Sequence, residues 1–250
     1  AISMSCLKRV QYISGAVTRL FSLLLLFFCQ QAVIADGSII DKIYHPYVQP
    51  EEREIEFRSS IENNSDATEG DARVYRLGYG QSFTDRWFGE VYLIGAENDD
   101  RGFRLEAYEL EALWQMTEQG EYSADWGMLF ELEKEHSEAV MELSAALLVE
   151  REWRRWTGTA NIYGDYEFGD DIDNEFETAL AMQGRYRYSR EMEPAVELYL
   201  GQDTKGLGPV MMGSWRSGGR RQLRWEGGII FGLDDDTPDQ TFRVLLEYEF

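Results

Sequence analysis

The chain has 250 residues, with 46 Asp and Glu against 24 Lys and Arg, for a formal net charge of -22. Charge of that sign argues against nucleic acid, or an anionic bilayer surface, as a partner. Both cysteines, Cys6 and Cys29, fall in the first 35 residues, so the remainder can build neither a disulfide nor a thiolate metal site. With 23 Gly and 14% aromatics beside 5 Pro, it suits many strands joined by short turns.

At the start, Lys8, Arg9 and Arg19 precede the apolar run Leu20–Phe28, and Ala32-Val-Ile-Ala35 offers small residues to a signal peptidase. This pattern predicts a cleaved signal peptide over 1–35, with Met4 as initiator and Asp36 as the mature start. The apolar run is shorter than the about 20 residues that a membrane-spanning helix needs. Losing three basic residues and no acidic ones moves the formal charge from -22 to -25. Residues 36–52 lack a strand pattern and read as a periplasmic extension or partial plug.

From there, turn clusters separate twelve period-two segments. They are 53–62, 72–83, 87–97, 103–116, 124–134, 138–150, 156–168, 175–188, 193–201, 207–215, 222–233 and 241–250. Most match or exceed the about 9–11 residues of a tilted membrane strand, and the count is even. Trp126, Met128, Phe130 and Leu132 share one face, opposite Glu131 and Glu133. Met141, Leu143, Ala145, Leu147 and Val149 repeat the pattern, as do Leu223, Trp225, Gly227, Ile229, Phe231 and Leu233. A soluble sandwich of about seven to nine strands does not match such charged faces to such aromatic ones over this many segments. The expected fold is therefore all-β: an antiparallel transmembrane β-barrel of 12 strands over 53–250, apolar faces toward lipid. Trp87, Trp114, Trp126, Trp153, Trp156, Trp225, Tyr186, Tyr188 and Tyr248 lie at or near segment ends, where aromatic girdles sit. Weak periodicity over 87–116 leaves the facing of Val91, Tyr92 and Ala112 open.

The connections supply an independent check on this registration. With periplasmic termini, the outward set is 63–71, 98–102, 135–137, 169–174, 202–206 and 234–240, nearly all acidic. The opposite set is mostly short or basic, Thr117–Ser123 excepted.

The final segment, Phe242-Arg-Val-Leu-Leu-Glu-Tyr-Glu-Phe250, sets Phe242, Val244, Leu246, Tyr248 and Phe250 on one face. This pattern resembles the C-terminal assembly signal of Gram-negative outer-membrane β-barrel proteins. The resemblance implies insertion into the cell outer membrane by the barrel-assembly machinery, with outer-membrane lipid and lipopolysaccharide as neighbours. Leu207-Gly-Pro209, Glu226–Leu233 and Thr237-Pro-Asp239 together resemble the C-terminal third of the transporter-like MetA-pathway (phenol degradation) outer-membrane family. That resemblance covers about a quarter of the chain and implies transport of small compounds, though an acidic lumen suits apolar cargo poorly.

Polar faces then become the lumen. Glu109, Glu111, Glu131, Glu133, Glu142, Asp165 and Glu167 form an acidic arc over the fourth to seventh segments. Arg58, Arg76, Arg185, Arg187, Arg224 and Arg243 concentrate on the first two, the eighth and the last two. Closing the sheet is expected to set the two groups across from one another, giving a transverse field that filters ions. Alternatively, these charges pair across strands and fill the interior, Arg224 with Glu247 or Glu249 for example.

Enzymatic and metal chemistry find little footing. His136 and Ser137 are adjacent in sequence, which on a strand points them to opposite faces, and no oxyanion donor accompanies them. His45 reads as solvated or plug-facing. Asp234-Asp-Asp236 with Asp239, Asp170-Asp171 with Asp173, and Asn98-Asp-Asp100 are oxygen-rich, but they read as solvated acidic loops. The reading is a passive channel for small solutes with an acidic and arginine lumen, without catalytic residues, metal or cofactor. Its alternatives are a closed barrel with a structural or surface-interaction role and a barrel hydrolase.

Overall fold

A computed structural model describes residues 40–63, 72–98, 101–170, 172–219 and 221–250. The expected signal peptide over 1–35, residues 36–39, the connection 64–71, Asp99, Asp100 and Asp171 lie outside the described residues.

Twelve strands run in chain order. They are β1 (Arg53–Asn63), β2 (Ala72–Thr84), β3 (Trp87–Asn98), β4 (Arg101–Gln115), β5 (Asp125–Glu135) and β6 (Val140–Trp153). The second half holds β7 (Trp156–Gly169), β8 (Glu175–Tyr186), β9 (Glu193–Leu200), β10 (Lys205–Gly218), β11 (Arg221–Gly232) and β12 (Gln240–Glu249). Each strand pairs antiparallel with its sequence neighbours, and β1 closes on β12 from Glu54↔Glu249 to Asn63↔Gln240. Phe250 N–H donates to Arg53 C=O at 2.9 Å, extending this seam to the last residue. Closure leaves no sheet edge, which a lipid-embedded sheet requires because hydrocarbon offers backbone groups no partner.

Alternation decides the two faces. Ile55, Phe57, Leu77, Tyr79, Val91, Leu93, Leu110, Leu143, Ile162, Val196 and Leu207 are exposed outward. Phe242, Val244, Leu246, Tyr248 and Phe250 share that face, while Arg243, Glu247 and Glu249 are buried inside. The open positions resolve within this frame: Val91 and Ala112 face out, and Tyr92 is buried in the lumen. At Gly208 a Cβ would lie 1.9 Å from the Ile229 carbonyl oxygen. Glycine there lets β10 and β11 approach closely.

Aromatic pairs ring the outer surface at two heights. Near the termini, Trp87 stacks on Trp114 at 5.5 Å, Trp156 meets Tyr186 at 5.0 Å, and Trp215 stacks on Trp225 at 5.7 Å. At the loop end, Tyr75 meets Phe103 and Tyr166 stacks on Phe168. Trp156 and Tyr166 bound the span on β7; at about 3.3 Å per residue and a tilt of about 40°, their separation is about 25 Å, the height of an outer-membrane apolar band.

Ile162 sits at mid-height on this face. Ile162→Arg is expected to cost about 2–4 kcal/mol, and the same change at Trp156, in the girdle, about 0–1 kcal/mol. Urea unfolding in liposomes measures both.

Candidate functional site: the barrel lumen

The strands position the lumen, and residues 40–50 occupy part of it. Ile40, only 1% exposed, and Ile43 pack with Ala181, Ala195, Tyr199, Val210, Met212 and Ile230. Tyr44 packs with Leu129, Ala146 and Leu148. The segment then descends toward the terminal end. Tyr44 N–H donates to Asn161 Oδ1 at 2.7 Å, and Asn161 Nδ2 returns a bond to Tyr44 C=O at 2.9 Å. His45 Nδ1 lies 2.5 Å from Glu150 Oε2, Tyr47 OH donates to Asp125 at 2.8 Å, and Val48 N–H donates to Gln115 at 2.8 Å.

The predicted lumen residues fall into distinct groups. Glu109, Glu111 and Glu131 bring carboxylate oxygens within 4.8 Å of one another. Glu133 is half-buried beyond them, 3.9 Å from Arg76. Glu142, Asp165 and Glu167 lie toward the loop end, more exposed, with Ser144 Oγ donating to Glu142 at 2.9 Å. Arg58 and Arg76 sit against this arc rather than across from it. Arg76 pairs with Glu109, and Arg58 reaches Glu111 at 3.3 Å. Asp41 of the extension binds both guanidinium groups, at 2.6 Å and 3.3 Å. The expected opposition of arcs is thus partly cancelled, because closure and the inserted segment bring β1 and β2 within reach of β4.

The remaining arginines pair locally. Arg243, 3% exposed, forks onto the fully buried Glu197 and lies 2.9 Å from Glu226. Gln183 Nε2 and Tyr199 OH also donate to Glu197, at 2.9 Å and 2.8 Å. Arg224 bridges Glu247 at 3.0 Å and Glu249 at 2.8 Å. At the terminal rim, Arg185 meets Glu193 at 3.3 Å and Arg187 meets Glu152 at 2.8 Å.

Beside the inserted segment lies a cavity of about 570 Å³ reaching the terminal end. Nine carboxylates and five Lys or Arg side chains line it. Sequence reasoning missed several of these carboxylates, including Glu54, Glu90 and Glu150, whereas it had already set Glu247 beside Arg224. Glu54 alternates with Ile55 and Glu90 with Val91, so the same period-two signal marks them. The apolar lumen patch was missed as well. Its signal is the broken alternation at Leu147-Leu148, Ile229-Ile230 and Leu245-Leu246, where one residue of each doublet turns inward.

Outside the lumen, Tyr108 OH lies 3.2 Å from His136 Nδ1 and engages that ring on the outer face. In the acidic loop after β11, Lys205 Nζ donates to Asp234 at 2.5 Å and Thr237 Oγ1 donates at 2.6 Å. These two donors hold the Asp234 carboxyl below the usual carboxylate range.

No family model matches the chain, and no curated protein matches it. Among solved structures, it is similar to the KdgM porin in complex with disordered oligogalacturonate, with TM-score 0.53, 13% identity, and coverage of 79% of this chain and 99% of that one. It is also similar to an outer-membrane channel from Pseudomonas putida F1, with TM-score 0.52, 12% identity, and coverage of 86% of this chain and 99% of that one. At these identities the likeness is one of fold, and the fold is that of the outer-membrane β-barrels.

Arg243→Met leaves Glu197 buried without its main partner and is expected to cost about 3–5 kcal/mol. Adding Glu197→Leu should recover most of that loss. Denaturant unfolding of the two variants beside the parent checks the pair.

Proposed function

We propose that this chain is an outer-membrane channel for small solutes, with periplasmic termini and residues 40–50 as a displaceable gate in its lumen. The observation that carries this reading is how the segment is held. Polar contacts from Asp41, Lys42, Tyr44, His45 and Tyr47 tie it to the wall, beside an already open cavity of about 570 Å³. Buried ion pairs of this kind contribute little net stability over their hydrated alternatives. Water or an entering cation can take over these polar ties, so the segment leaves as the lumen hydrates, at the cost of exposing Ile40 and Ile43.

The excess of carboxylates favours cations over anions. In this the channel differs from what the porin solved with oligogalacturonate, a polyanion, would need. The resemblance of Leu207-Gly-Pro209, Glu226–Leu233 and Thr237-Pro-Asp239 to the MetA-pathway family supports a transporter-like role. This reading assigns neither histidine a catalytic role: His45 ties the segment to Glu150, and His136 meets Tyr108 on the outer face. The arc Glu109, Glu111, Glu131 and Glu133 acts as the cation filter, and Arg58 and Arg76 tune its charge.

Single-channel recording of the refolded protein in a planar bilayer tests the proposal. The full chain should give infrequent, cation-selective steps, and deletion of residues 40–48 should raise conductance severalfold. Glu131→Gln with Glu133→Gln should shift the reversal potential toward lower cation selectivity. Silence from folded, inserted protein of both lengths would instead make this a closed barrel with a structural role.

A further inference from the structure

Lys42 is the only Lys or Arg in residues 40–52, and it enters an acidic part of the lumen. Its ammonium lies 2.5 Å from Glu56 Oε2 and 5.1 Å from the centre of the Tyr44 ring. Glu54, Glu90 and Glu247 line the same cavity as Lys42. The carboxylate oxygens of Glu54, Glu56 and Glu247 lie within 4.8 Å of one another, and Tyr92 OH donates to Glu56 at 2.8 Å.

This cage holds more carboxyl groups than its cations match. Arg58 serves Glu56 and Arg224 serves Glu247. Among the described residues, neither Glu54 nor Glu90 has a Lys or Arg within ion-pair distance. Glu90 is 4% exposed, lines the cavity, and has an Oε1 without a hydrogen-bond partner. A Cβ at Gly78 would come within 2.5 Å of that oxygen, so glycine on β2 leaves the carboxylate its space. A buried carboxyl without a cationic partner is costly to ionise and keeps its proton, and a cation arriving through the cavity lets it ionise as its partner. The Tyr44 ring adds a face of the kind that binds ammonium groups.

We propose that the cage of Glu54, Glu56, Glu90 and Glu247 is a subsite for the ammonium group of an organic cation, and that Lys42 is its built-in competitor. The solute class is primary amines and short diamines, whose second charge the other cavity carboxylates accommodate. The extension is then displaced by a solute bearing the same group that Lys42 presents. This assignment deepens the channel reading and rests on it for the direction of transport; the binding itself is measured separately.

The test is calorimetric titration of 1,4-diaminobutane into the folded full chain in micelles at fixed ionic strength, with folding checked by heat-modifiable migration. Lys42→Met should bind the diamine at least tenfold more tightly than the parent. Adding Glu90→Gln to Lys42→Met should weaken binding at least tenfold, and 1,4-butanediol should not bind. Equal affinity in parent and Lys42→Met, no binding to folded Lys42→Met, or Mg²⁺ binding as tightly as the diamine would overturn the proposal. Diamine binding to a Lys42→Met protein that never conducts in the bilayer would uphold the subsite and remove the channel.

Discussion

A backbone N–H or C=O in hydrocarbon has no water to turn to, so the first strand must find the last. The ladder from Glu54↔Glu249 to Asn63↔Gln240 meets that requirement. Once the ring is closed, the two-residue period leaves every side chain a choice of lipid or lumen. The outer face takes Ile, Leu, Val and aromatics, while the inner face receives charges that lipid would reject. Chemistry in this protein is therefore confined to the lumen, the rims and the loops.

An interior crowded with charges must supply them with partners. Strand residues accomplish some of this, as Arg243 does with Glu197 and Glu226. Residues 40–50 supply much of the rest: Asp41 joins Arg58 and Arg76, Lys42 joins Glu56, and His45 joins Glu150. The same segment covers the inward apolar residues Ile230, Val210, Leu129 and Leu148. Polar ties and apolar packing thus fix one segment in one place, and the polar ties are the part that water or an entering cation can replace. Such a balance suits a gate better than a permanent wall.

The electrostatics of the lumen follow from incomplete pairing. The acidic arc is partly neutralised by Arg58 and Arg76, whereas, among the described residues, neither Glu54 nor Glu90 has a guanidinium or ammonium within ion-pair distance. Charge left over inside a narrow, poorly hydrated passage acts strongly on whatever enters. Here the unmatched groups are carboxyls, gathered where Lys42 enters.

The strands and their facing were legible in the sequence because alternation is local. Trp126, Met128, Phe130 and Leu132 announce an outward face without reference to any other strand. The ends were less sharp: the eighth strand ends at Tyr186 where 188 was expected, and the tenth runs Lys205–Gly218 where 207–215 was expected. Period two persists into turns, and only paired hydrogen bonds mark the true limit. Doublets such as Leu147-Leu148 carried a fainter message, that part of the lumen is apolar and covered.

What the sequence by itself determined was the class of fold, the number of strands and, outside 87–116 and the apolar doublets, which side chains face inward, since each depends on neighbours along the chain. Tertiary structure alone decided that Arg58 meets Asp41 and Glu111, that Lys42 enters the Glu56 cage, and that residues 40–50 lie in the lumen. Those contacts join residues far apart in the chain, and their partners are chosen by the curvature and closure of the sheet. No periodicity in a linear sequence encodes a distance across a barrel.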